Sequence, residues 1–440
     1  MPIPAYALWM LEQESRALLT RLGRVKPFVL EESMLPAAGL LPASQIAIEN
    51  FLIAGRRHLR ALVHEFLAWL HSPQSMMSDA EEAQRRFSML RLRFNAVLTH
   101  FDLFNNVITQ RSESETGIWL SGLDVVSADA LNLGERYAAP PVICYLERGV
   151  GAAIRRAHTK MPGGGNSPAA IIKVPRERMV GSGIASSLIH EVGHQGAALL
   201  DLVESLRPVL RGMQRGSQRE YRAWQFWERW ISEIVADFWS VARVGVTSTL
   251  GLIGVVSLPR AFVFRINADD PHPSPWIRVK LSAAIGNALY PDPQWGRLTQ
   301  LWEAYYPLTG LHPDTQQTFA MLERTMPGLV AVLVNHRPRA LRGTSLTEAL
   351  EVETRPPSVL RAALARWRTA PDDMYAARPT MAFAVIGQGR ADGKVSPEEE
   401  SVILGKLLTH WAVQSTLQAL AGCAAPPKGC GCRKAVCQTH

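Results

Sequence analysis

The stretch Ile184-Ala-Ser-Ser-Leu-Ile-His-Glu-Val-Gly-His194 decides how this chain is read. Its apolar residues predict a buried helix. His190 and His194 stand four apart, so on a helix both imidazoles point from one face at a common ion. Glu191 is turned by about 100° from His190. That placement reaches a water on the ion rather than the ion itself. Two neutral nitrogen donors, an open coordination position and an adjacent carboxylate base are what a hydrolytic zinc site requires. Taken alone, the five residues His190 to His194 also fit a buried helix whose histidines hydrogen-bond carbonyls.

A second segment supplies a third ligand. Glu228-Arg-Trp-Ile-Ser-Glu-Ile-Val-Ala-Asp-Phe-Trp-Ser240 is helical by periodicity and sets Glu233 and Asp237 four apart on one face. Trp230, Ile234, Phe238 and Val241 surround them, and acids in so apolar a run are costly to bury without partners. A metal for Glu233 and a histidine N–H for Asp237 satisfy both, the latter fixing the tautomer of a ligating ring. The plainer alternative is a helix with a solvated acidic stripe.

H-E-x-x-H followed by E-x-x-x-D on a later helix resembles the gluzincin class of zinc metallopeptidases, the thermolysin-like arrangement. The resemblance covers roughly residues 165 to 285. It implies His190, His194 and Glu233 as zinc ligands, Glu191 as general base and Asp237 as the residue orienting a histidine. The gap between His194 and Glu233 is longer than in that class. It carries Arg207, Arg211, Arg215, Arg219 and Arg222, so an extra helical excursion or exposed loop is expected there.

Asp270-Pro-His-Pro-Ser-Pro-Trp-Ile-Arg278 contains H-P-S-x-x-x-R. This is similar to a stretch downstream of the glutamate ligand in HtpX-like membrane metallopeptidases, whose membrane helices this chain lacks. The similarity implies His272 as a donor to the oxyanion of a tetrahedral intermediate, and Arg278 as a partner of Asp237 or of a substrate carbonyl. Read without it, the segment is a Pro-rich turn before a helix beginning near Ser274. Tyr305 or Tyr306 is a further donor by residue type alone.

The 440 residues suffice for a large core and two or three domains, and 47% hydrophobic with 20% charged residues is ordinary for a globular protein. The net charge of +8 comes almost entirely from arginine. No basic run interleaved with aromatics marks a nucleic-acid surface, so no nucleic-acid partner is expected. The first residues lack the basic start of a secretory signal. Val244 to Pro259, an uncharged stretch of 16 residues, is too short to span a bilayer and reads as a buried helix or loop under the site. The default compartment is the cytoplasm, with signal-independent export left open. Oligomeric state is not legible.

The expected fold class is α+β, predominantly helical: a zincin-like catalytic domain with a small sheet over 136–340, between a helical region over 1–135 and another over 341–420. A short helix about Trp9 to Leu22, a helix over 45 to 72 and another through about Gln110 make up the first region. Ser78-Asp-Ala-Glu81 reads as the capping box of the third, and the two long helices as a hairpin. Pro141 to Leu146 and Ala169 to Val174 read as strands, with Cys144 in the core and Met161 to Pro168 a loop. The second strand is expected at the sheet edge, where an extended substrate would pair. Ser182 is the expected N-cap of the motif helix. Beyond residue 285 helices are expected about 293–303, 314–325, 327–335, 345–352 and 357–368.

Residues 379 to 420 resemble the helix-break-helix of TerB-like domains, with Asp392-Gly393 in the turn and Glu398 to Glu400 opening the second helix. The turn hints at an EF-hand, but its ligand pattern is incomplete. The tail over 421–440 holds Cys423, Cys430, Cys432 and Cys437. Three readings stay open: reduced thiols on a flexible tail, a second metal site, or an inhibitory tail whose thiolate reaches the catalytic zinc.

The function expected is hydrolysis of peptide bonds in a peptide or protein substrate by a zinc-dependent endopeptidase, with a narrow processing role. Two alternatives stand beside it. One is a helical interaction protein with a structural or vestigial zinc site, the other a zinc hydrolase of a non-peptide bond.

Overall fold

The computed structural model describes residues 3–24, 35–147, 151–161, 165–176, 180–216, 218–267 and 270–424. The chain is predominantly helical and carries one three-stranded sheet. The helices before the sheet are α1 (Ala5–Arg24), α2 (Pro42–Leu70), the single turn α3 (Pro73–Met76), α4 (Ala80–Thr109) and α5 (Ser114–Leu131). The strands are β1 (Val142–Glu147), β2 (Ala153–Arg155) and β3 (Ala170–Pro175). Then follow α6 (Ser182–Leu199), α7 (Leu202–Gly216), α8 (Tyr221–Val244), α9 (Val246–Val256), the single turn α10 (Arg260–Val263) and α11 (Pro275–Leu289). The last are α12 (Gln294–Tyr305), α13 (Pro313–Asn335), α14 (Leu346–Ala349), α15 (Pro357–Thr369), α16 (Asp372–Ala376), α17 (Pro379–Ala391) and α18 (Pro397–Ala424). No helix among the described residues is long and apolar enough to cross a membrane.

The N-terminal helices form as their spacing dictates. In α2, Ile48, Leu52, Leu59, Val63, Phe66 and Leu70 recur at helical intervals and are buried, facing α4. The cap of α4 is Asp79, one residue after the expected Ser78, and its carboxylate accepts the Glu82 N–H at 2.9 Å. An aspartate here also meets the positive end of the helix dipole, which a serine does not. α5 leaves no periodic trace in the sequence because it is enclosed by β1, α6, α17 and α18.

In the sheet, β1 runs parallel to β3 and β2 antiparallel to it, in the order β1-β3-β2. The strand expected at the edge, β3, is therefore central. The open edge beside the site is β2, three residues long and too short to leave a period-two signature. The two sheet faces close different cores. Val142, Cys144, Leu146, Ala170, Ile172 and Val174 join the large core that holds α6, α8, α9 and α11. Ile143 and Ile171 join the core of the N-terminal helices. Cys144 is fully buried, as expected. Its N–H donates to Asp124 at 2.7 Å, and its carbonyl accepts from Arg111 at 2.7 Å. Arg111 and Asp124 are themselves 3.0 Å apart and completely buried. They clamp β1 to α5.

In the C-terminal part, α13 runs unbroken through Pro327 where two helices were expected. α17 and α18 flank the expected Asp392-Gly393 turn, with Gly393 at φ 67°. They do not pair only with each other: α17 lies on α8, α9 and α15, and α18 lies on α5. Leu404, Leu407, Leu408 and Trp411 belong to the same core as the motif helix.

Candidate metal centre

α6 leaves its loop at Gly181, whose φ of 131° is a backbone conformation that favours glycine. No side chain caps this end, so Ser182 is the first helical residue rather than the cap. The helix is buried over most of its length, which removes its register from choice and fixes where His190, Glu191 and His194 emerge. α8 crosses it at very short range. A Cβ on Gly193 would lie 2.9 Å from the Ala236 backbone, and one on Gly196 would lie 2.5 Å from the Trp239 ring. The two glycines are thus what lets α8 bring Glu233 up to the histidines.

The three side chains converge. His190 Nε2 lies 3.2 Å from Glu233 Oε2, and His194 Nε2 lies 3.4 Å from Glu233 Oε1. One donor atom from each of the three falls within 4.8 Å of the others, so the group could hold a metal ion. The donor set, and the 3.2 and 3.4 Å separations of Glu233 from the two histidines, suit a small tetrahedral ion. Bonds of about 2.0–2.2 Å to one such centre place ligand atoms roughly 3.3 Å apart. Two imidazoles with one carboxylate suit a divalent transition metal.

Behind the ligands stands a charged relay. His190 Nδ1 meets Asp237 Oδ1 at 2.8 Å. Arg278, from α11, donates its Nε to Asp237 Oδ2 at 2.7 Å and an Nη2 hydrogen to Oδ1 at 2.9 Å. Of the two partners the sequence allowed for Arg278, the structure gives Asp237. Burial alone would raise the Asp237 carboxyl, but the charges of Arg278 and His190 outweigh it and hold it well below the usual range. Glu233 is likewise held far down against burial by hydrogen bonds with His190, His194 and His272. Burial would lower His190, yet the Asp237 charge and the hydrogen bonds with Asp237 and Glu233 raise it to about 9. Ser232 Oγ, which no sequence pattern marked, lies 3.5 Å from His194 Nδ1.

Glu191 is buried and opens into a cavity of about 150 Å³ together with His190, Asp237, His272 and Arg278. Ser248, Leu252 and Val255 of α9 form one wall, which makes the uncharged stretch after residue 244 a buried helix under the site. Gly151 and Ala152, just ahead of β2, complete the rim. His272 stands at the mouth with its side chain 48% exposed; its Nε2 is 3.2 Å from Glu233 Oε2 and its Nδ1 2.8 Å from Asp270. Neither Tyr305 nor Tyr306 lines the cavity: Tyr305 is exposed, and the Tyr306 hydroxyl donates to the Leu258 carbonyl at 2.9 Å.

Comparison with protein-family models, with curated proteins and with solved structures returns no match.

Two other sequence features resolve differently. The Asp392 carboxylate accepts two hydrogen bonds from Arg361, at 2.9 and 3.2 Å, and one from Gln388 at 3.2 Å. It ties α17 to α15 and is not free for a cation. Of the tail cysteines, Cys430, Cys432 and Cys437 lie outside the described residues, and Cys423 is described only as backbone of α18. The arginine-rich gap after His194 contains α7, whose Leu202, Leu206 and Leu210 are buried on α8 while Arg211 pairs Glu228 at 2.7 Å.

Proposed function

We propose that the chain is a zinc-dependent metallopeptidase of zincin-like build that cuts within peptide or protein chains. The observation that carries this reading is the convergence of His190, His194 and Glu233, with His190 and Glu191 lining a cavity whose rim includes Gly151 and Ala152, just ahead of the open-edge strand β2. His190, His194 and Glu233 would hold the ion. Zinc so held supplies Lewis acidity, toward a water and toward a carbonyl alike.

The protein's own groups do the rest. The Glu191 carboxylate takes the proton of the attacking water and passes it to the leaving nitrogen. Asp237, fixed by Arg278, accepts the His190 Nδ1 hydrogen and so keeps Nε2 turned to the ligand side. His272 at the mouth is the donor assigned to the developing oxyanion. β2 pairs with the extended backbone of the substrate, the role that the sequence suggests for the central strand β3. Arg278, which lines the cavity, is engaged by Asp237. A narrow processing role agrees with the small cavity.

A second reading has one observation in its favour. His272 Nε2 is turned onto Glu233, and a fourth donor there would close the site as a structural one. Metal content and hydrolysis of a mixed peptide library, measured on the wild type, Glu191→Gln and His272→Ala, separate the two. The peptidase reading expects Glu191→Gln to keep its metal and lose hydrolysis, and His272→Ala to keep its metal. Hydrolysis retained by Glu191→Gln refutes the role of that residue.

A further inference from the structure

The open edge of the sheet carries charge of one sign. Residues 151–161, which hold β2 and the turn after it, include Arg155, Arg156 and Lys160 and no acid. All three side chains are exposed, and none has an acidic partner among the described residues. The backbone of β2 pairs only with β3, so its outer side is unpartnered among the described residues. The same segment begins at Gly151 and Ala152, on the rim of the cavity that holds Glu191. Distance along the segment therefore translates into distance from the reacting centre: Arg155 and Arg156 lie three to five residues from that rim, about 10–15 Å at strand rise.

Strand alternation divides the two arginines. Ile154 is set opposite Ile172 and packs on the core that contains the motif helix, whereas Arg155 is set opposite Ile171, which faces the N-terminal helices. Side chains of a segment laid along β2 alternate likewise, so those standing on the Arg155 side sit beside a guanidinium that has no acidic partner among the described residues. Arginine offers a planar fork that matches a carboxylate.

We propose that β2 selects extended peptide segments carrying glutamate or aspartate a few residues from the position at the cavity, through Arg155 and Arg156. This substrate class rests on the peptidase reading of the cavity, and it is tested by binding, apart from cleavage. Neutral segments occupy the same edge through backbone hydrogen bonds alone. Acidic ones gain the two guanidinium contacts as well, and gain in on-rate at low salt.

The test uses the full chain bearing Glu191→Gln and two fluorescent peptides of about ten residues, identical except that one carries glutamates where the other carries glutamines. Tighter binding of the glutamate peptide by about three- to tenfold is expected, shrinking as salt rises and reversing in the Arg155→Glu, Arg156→Glu double variant. The salt series on the unaltered edge stands by itself should the double variant fail to fold. Equal binding of the two peptides, or binding of neither, overturns the proposal. Wild-type hydrolysis of the same peptides separates the levels. Acid-selective binding without hydrolysis upholds the edge preference and sinks the peptidase reading. Hydrolysis without acid preference does the reverse.

Discussion

Asp237 stands between Arg278 and His190, receiving Arg278 Nε at 2.7 Å on one oxygen and facing His190 Nδ1 at 2.8 Å with the other. The carboxylate therefore sets the direction of the His190 ring, and the guanidinium sets the direction of the carboxylate. Asp237→Asn keeps the shape but offers His190 a poorer acceptor. Loss of such a supporting partner lowers metal affinity by about 10–100-fold, and a chelator-competition titration with zinc measures it. Arg278→Lys retains the charge without the two-pronged contact, so a smaller loss is expected. Unchanged affinity in Asp237→Asn would remove the relay from the account.

Gly193 lies between the motif histidines and directly under α8. Alanine there puts a methyl 2.9 Å from the Ala236 backbone, so one helix must move. Overpacking of this kind costs about 1–3 kcal/mol. Movement apart draws Glu233 from His190 and His194, and Gly193→Ala is expected to lose stability and metal affinity together. Calorimetry with and without zinc reads both. A variant with lowered melting temperature but wild-type zinc affinity would show that the ligand spacing is set elsewhere.

The Arg111–Asp124 pair is fully buried and holds both the N–H and the C=O of Cys144. Removing one member strands the other charge in the core. Asp124→Ala is expected to cost about 3–5 kcal/mol, readable as a fall in the denaturant midpoint. Replacing both residues by apolar ones of similar volume is expected to cost less than the single change, because no charge is left without its partner.

Asp129 ties α5 to the start of α17. It accepts the Thr380 N–H at 2.9 Å, the Thr380 hydroxyl at 2.6 Å and Arg378 Nε at 2.9 Å. Burial opposes its ionisation, but these contacts outweigh burial and lower its carboxyl below the ordinary value. A carboxyl lowered in the folded state stabilises above its unfolded value of about 3.9, and that contribution fades as pH falls through the folded value. Asp129→Asn is expected to be less stable than wild type by about 1–2 kcal/mol near neutrality, with the gap closing as pH falls below the ordinary carboxyl value. Urea midpoints across that range check it, and a gap independent of pH contradicts it.

The parts of this molecule that announce themselves in sequence are those where an unusual residue stands in an apolar run. His190, Glu191 and His194 stand out for that reason, and so do Glu233 and Asp237, because acids four apart in a tryptophan-rich helix need partners. Long amphipathic helices such as α2 and α4 are equally plain. β2 is not, because Ala153-Ile154-Arg155 is too short for alternation to show. The central place of β3 is a matter of long-range pairing, and nothing in its own six residues distinguishes a middle strand from an edge. α5 is hidden by burial on all sides, and Ser232 by being an ordinary serine. The cap at Gly181 was displaced by one residue because a glycine with positive φ starts the helix without any side-chain signal.

The brevity of β2 has a further effect. An open strand edge invites other edges, and long ones template the stacking of sheet upon sheet. Here the exposed run ends after three residues, bounded on one side by Gly151 and on the other by a turn through His158 at φ 62°. With like charges along it, the edge repels a second copy of itself. The same few residues can greet a foreign strand and still refuse their own kind.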